Sequence, residues 1–159
     1  MIAVAAALLE KCAKLSASHW SGADDARARA HALRLQSEDL IEADFHAYMT
    51  YQHALRAARG LAGDARAAAV GPAHAEIVAV PVAIISSAAR AVDLAAELAE
   101  RGNPNLRTDA VVAARLAAAA AEAGAILVAV NLADAPGDPR SIAAHRLAES
   151  ASTRAGSLG

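Results

Sequence analysis

The chain has 159 residues, a formal charge of −2 and one cysteine, with 56% hydrophobic and only 3% aromatic residues. That length supports one domain with its own core, and the near-neutral charge gives no electrostatic footprint for nucleic acid or an anionic membrane surface. A lone cysteine, Cys12, excludes an internal disulfide framework and fits a reducing, cytoplasmic setting.

Alanine fills most of the apolar positions. It has the highest helix propensity, and its short side chain lets helices approach closely. No stretch alternates apolar and polar residues between hairpin turns. The expected fold is an all-α bundle of about five helices, several long and one Pro-kinked, in a single domain over residues 1–159.

A first helix is expected over residues 2–17, closing in the polar stretch Ser16 to Gly22. Its apolar start has no leading basic region, and Glu10 and Lys11 follow at once, which argues against a secretory signal. A second helix, 23–59, carries Leu33, Leu40, Ile41, Tyr48 and Leu55 near helical period, and Gly60 and Gly63 end it. Gly71-Pro72 is expected to restart the chain into a third helix over 73–101. There Ile77, Val80, Ile84, Ala88, Ala91, Ala95 and Leu98 form a bundle seam, with Pro81 as the kink.

The turn Gly102-Asn103-Pro104-Asn105 follows, with Gly102 expected as a helix stop in the left-handed conformation. Asn105 or Thr108 should cap the next helix, and Asp109 falls in its first turn, where a carboxylate meets the positive end of the helix dipole. Val112, Leu116, Ala119, Ala123, Ile126 and Val130 step by threes and fours and are the expected buried face. Arg115, Glu122 and the alanine content argue against this helix spanning a membrane. Asp138 then caps a fifth helix, with Pro139 at its first position, running to about residue 153.

Three of the four aromatic residues, Phe45, Tyr48 and Tyr51, lie within seven positions of one another, with His46 and His53 close by. They read either as rings plugging a gap between alanine helices or as a wall on which a flat heterocycle stacks. Glu42, His46 and His53 share one helix face approximately. No Glu-x-x-His pair or His/Cys cluster accompanies them, so no metal site is expected. Phosphate-loop, dinucleotide and nucleophile-elbow motifs are absent.

The stretch Arg101-Gly-Asn-Pro-Asn-Leu-Arg-Thr-Asp109, followed by an alanine-rich helix ending Val128-Ala-Val-Asn131-Leu132, resembles the cyclodeaminase/cyclohydrolase family of folate enzymes. The resemblance spans roughly Ala3 to Leu132, and Pro81 stands where the family usually has a proline. It implies a homodimer and a tetrahydrofolate derivative as substrate, with chemistry on the one-carbon bridge. Either a folate nitrogen attacks a formimino carbon and ammonia leaves, or water adds to a methenyl cation; neither step requires a metal.

By this resemblance Asp109 is the catalytic carboxylate, and Asn103 and Asn105, with Asn131 as a weaker candidate, contact the substrate. Arg107 suits the carboxylates of the folate tail, and His46 and Tyr48 of the aromatic group supply a stacking wall. The chain departs from the family in three places. It begins within the first helix, without the usual glycine-rich loop; Leu127 stands where an asparagine is usual; and Ser18-His19-Trp20-Ser21 replaces a lysine-containing stretch. The alternative is a diverged helical bundle that binds another small molecule or a protein and catalyses nothing.

Overall fold

Five helices carry almost the whole chain in a computed structural model that describes all 159 residues: α1 (Ile2–Lys14), α2 (Ala23–Ala57), α3 (Gly63–Arg101), α4 (Arg107–Asn131) and α5 (Pro139–Gly156). One 3-10 turn, Pro104–Leu106, joins α3 to α4, and no strand is present. Successive helices run antiparallel, and α3 touches all four others. Its most extensive packing is along α4, which in turn lies against α1 and α5.

Of the 30 residues in the main core cluster, nineteen are alanine. Leu9, Ile85, Leu94, Val78, Val92 and Val128 are its largest fully buried members. Each buried methyl removes little area from water, about 0.8 kcal/mol per carbon, so the core depends on helices coming close together. Gly124 marks the tightest approach: a Cβ there would meet Ile85 Cγ1 at 2.6 Å and the Pro81 carbonyl oxygen at 3.3 Å.

The second half of the expected α3 seam lies inward, with Ala88, Ala91, Ala95 and Leu98 buried, but Ile77, Val80 and Ile84 are only partly covered and Val78, Pro81 and Ile85 are buried in the first half instead. Asp138 caps α5, its side chain accepting from the Arg140 amide, and Pro139 opens the helix. Gly60, at φ +87°, turns the chain between α2 and α3.

Several expectations are corrected. The first helix stops at Lys14, and residues 15–19 form a turn. Gly71-Pro72 does not restart the chain, because α3 passes through both Pro72 and Pro81 without a break. Around Pro72 the helix is exposed, so water can take the carbonyl that the missing amide leaves free. Gly102 has φ −77°, outside the left-handed region. Glycine is needed there for space, since a Cβ would lie 2.5 Å from the Leu98 carbonyl oxygen and 2.8 Å from Ser16 Oγ. Neither Asn105 nor Thr108 caps α4; the Asn103 side chain instead accepts from the Asn105 amide and caps the 3-10 turn.

The largest correction concerns α4. Its buried face is Ala110, Ala113, Ala114, Ala117, Ala121, Gly124 and Val128, while Val112, Ile126 and Val130 are exposed. The helix is apolar nearly all round, so hydrophobic period does not choose between its two faces. Volume does: the small-residue face packs closely against three neighbours, and the bulkier one is left outside.

Candidate functional site

The candidate residues fall at two ends of the bundle. At the first end, Ser16 ties the close of α1 to the turn before α4. Its hydroxyl donates to the Cys12 carbonyl at 2.7 Å and accepts the Asn103 amide at 2.8 Å. Asn103 then spends its side chain on the turn itself, donating to the Leu15 carbonyl at 3.2 Å and accepting from the Asn105 amide at 3.0 Å. Asn105 is exposed, and Arg107 donates to the Leu158 carbonyl at 2.6 Å.

Asp109 follows one turn later and accepts from Lys11 Nζ at 2.8 Å, with both side chains partly open to solvent. The hydrogen bond and the charge of Asp109 hold the Lys11 ammonium above its ordinary value. Beside them the Cys12 thiol is pushed up to about 11, first by burial and then by the Asp109 charge. Lys11 is a residue that the sequence reading missed. The available signal was that the chain's only two lysines, Lys11 and Lys14, both close α1.

Asn131 ends α4, 22 residues beyond Asp109 and so about 33 Å along the axis. Its side-chain amide donates to the Ile77 carbonyl at 2.6 Å. That carbonyl sits four residues before Pro81, which has no amide hydrogen to offer it. His74 Nε2 lies 2.8 Å from the Asn131 carbonyl oxygen, and its ring packs at 5.8 Å from Tyr51. Asn131 therefore repairs the helix that Pro81 interrupts.

His46 and Tyr48 project from α2 into solvent, on the half of the molecule nearer Asn131. Phe45 and His46 pack edge to face at 5.8 Å, and neither Phe45 nor Tyr48 plugs the core. The structure thus brings together Asn103, Asn105, Arg107 and Asp109, and keeps Asn131, His46 and Tyr48 apart from them. No three His, Cys, Asp or Glu side chains converge as metal ligands.

Between the start of α1, the middle of α2 and the later half of α4 lies an apolar cavity of about 290 Å³. Ile2, Leu40, Ile41, Ile84 and Leu127 supply its larger walls, with Ser37 and Asp44 as its polar side chains. The Ser37 hydroxyl is already committed to the Leu33 carbonyl at 2.6 Å, which leaves Asp44 as the polar group free to meet a ligand. Asp44 is the second residue missed; nothing in its sequence setting separates it from the other acidic residues of α2. Tyr48 stands one turn further along the same helix face.

The molecule is an antiparallel, alanine-packed bundle of the all-α class, with an apolar cavity that carries one carboxylate on its wall. The family model described as formiminotransferase-cyclodeaminase matches residues 1–149. The chain belongs to that family. Its fold is similar to the crystal structure of formiminotetrahydrofolate cyclodeaminase from Thermotoga maritima, with a TM-score of 0.78 and 21% identity over 98% of this chain and 78% of that one. No curated protein matches the sequence.

Proposed function

We propose that the chain acts on the formimino or methenyl bridge of tetrahydrofolate, as a cyclodeaminase or cyclohydrolase, in the cytoplasm and as a homodimer. The observation that carries this reading is the family match across residues 1–149, within which the Asn103–Asp109 turn is held in one conformation. In this proposal Asp109 stabilises positive charge on the one-carbon centre or orients the attacking water. Lys11 is a positioning residue: a lysine held above its ordinary value is a poor proton donor near neutral pH, but it fixes the carboxylate. Asp44, on the cavity wall, offers a carboxylate to the paired N–H donors of a pterin ring.

The test is a thermal-shift series with folate derivatives, since a ligand that binds only the folded state raises the melting temperature. It is paired with assays of methenyl-folate hydrolysis and of ammonia release from formimino-folate. Binding and turnover are expected, with Asp109→Asn abolishing turnover and Asp44→Asn weakening binding. Protein that neither binds folates nor accelerates either reaction rejects the proposal.

One observation favours a second reading, that of a non-catalytic binding bundle. Asp109 is paired with Lys11, lines none of the main cavities, and stands away from the cavity that holds Asp44 and Leu127. Folate binding without turnover supports that reading.

A further inference from the structure

Two arginines of α4 grip the segment that follows α5. Arg107 donates to the Leu158 carbonyl oxygen at 2.6 Å, and Arg115 donates to the Gly159 oxygen at 3.0 Å. The two leave the helix eight residues apart, about 12 Å along its axis, yet their guanidinium groups converge on neighbouring oxygens of one short segment. Val111 stands midway between them, and a Cβ on Gly159 would lie 3.7 Å from its Cγ1. The Leu158 side chain packs against the main core. Residues 157–159 thus form a strap across the opening turns of α4.

Neither arginine has an acidic side-chain partner; the ion-paired arginines of the chain are Arg29, Arg34, Arg140 and Arg154. The Leu158 oxygen is a neutral amide acceptor, and a charged oxygen in its place makes the hydrogen bond roughly twice as strong. Two guanidinium forks aimed at a pair of adjacent oxygens suit a small multivalent oxyanion. Beside Arg107 the strap walls a cleft of about 590 Å³ between the ends of α3 and α5, which Arg154 also lines. Glu100 is the one acidic residue on its walls, and it is exposed. The cleft gives an anion a way to Arg107 while the strap is still seated.

We infer that Arg107 and Arg115 form a binding site for a small multivalent oxyanion, a phosphate or a short dicarboxylate, and that residues 157–159 occupy it until the anion displaces them. The site is separate from that of Asp109. Two residues after Arg107, Asp109 faces the other flank of α4, where it meets Lys11 of α1. The strap also lies beyond residues 1–149, so the family match does not account for it. Displacement frees the end of α5 and widens the cleft, which couples anion binding to the order of the last helical turn.

Hydrogen–deuterium exchange on the full chain tests this at the Ser157 amide, which donates to the Thr153 and Arg154 carbonyls while the strap is seated. Inorganic phosphate or succinate should speed that exchange about tenfold, matching the loss of one hydrogen bond to a charged group. Sodium chloride at matched ionic strength should not. A response to only one of the two anions identifies the class of ligand. Exchange indifferent to both overturns the site, and an equal response to chloride overturns it by reducing the effect to screening.

Arg107→Gln and Arg115→Gln should each speed exchange without added anion and abolish the response to it. A strap with only a structural role would show the first change while the wild type ignored both anions. A response that persists in both variants places the anion elsewhere and overturns the site. Leu158→Ser keeps both arginines and loosens the strap, so it should bind the active anion about tenfold more tightly by calorimetry. Equal affinities in wild type and variant overturn the competition. None of these measurements involves a folate, so their outcome and that of the one-carbon reading are independent.

Discussion

The Asn131 side chain donates to the Ile77 carbonyl at 2.6 Å, the acceptor that Pro81 leaves without an amide. A residue at the end of one helix thereby completes the hydrogen bonding of its neighbour. The arrangement allows a proline in the middle of a 39-residue helix without a break.

Removing that donor strands a partly buried carbonyl. Asn131→Ala is expected to cost about 1–2 kcal/mol in urea unfolding. In a Pro81→Ala background a backbone amide returns to serve Ile77, so the same substitution should cost much less there. Equal costs in both backgrounds would show that the Asn131 hydrogen bond does not compensate for the proline.

Gly124→Ala places a methyl 2.6 Å from Ile85 Cγ1 and should destabilise by about 1–3 kcal/mol through overpacking. Ile85→Ala removes that atom, so the added methyl should be nearly neutral in its presence. The measurement is a double-mutant cycle on the midpoint of chemical unfolding; additive costs would mean that the α3–α4 approach is looser than the structure has it.

Cys12 gives a pH signature. Its thiol is raised from 9.0 to about 11 in the fold, so the folded state resists a deprotonation that the unfolded chain undergoes freely. The contribution is complete below pH 9 and is lost as pH rises through 11. Wild type should therefore lose stability relative to Cys12→Ala as pH rises from 9 towards 11. A stability difference between the two that stays flat over this range would contradict burial of the thiol.

The parts of the fold readable from the residues were those decided locally. Asp138-Pro139 marks a helix start through its own side chain and ring, and the second half of the α3 seam is inward while Arg90, Asp93 and Glu100 stand exposed on its other sides. The face of α4 was not readable, since both sides are apolar and the choice depends on how closely α3 can approach. Gly102 does stop the helix, but through crowding rather than a left-handed φ, and the crowding by Ser16 comes from a residue 86 positions earlier in the sequence. The Lys11–Asp109 pair was equally hidden, its partners being 98 positions apart. Asn131 was singled out by resemblance, and the structure gives its side chain a backbone partner.

The methyl-lined interior fixes which kinds of change this protein tolerates. Where about two thirds of the inward positions already hold the smallest side chain with a Cβ, truncation at them has little left to remove. Damage then comes from growth: a valine or serine in place of an inward alanine pushes two helices apart and loosens every contact along their length. A random mutagenesis survey should find its most harmful interior changes among gains in bulk, the reverse of a leucine-rich core, and the chain's drift through sequence space is narrowed accordingly.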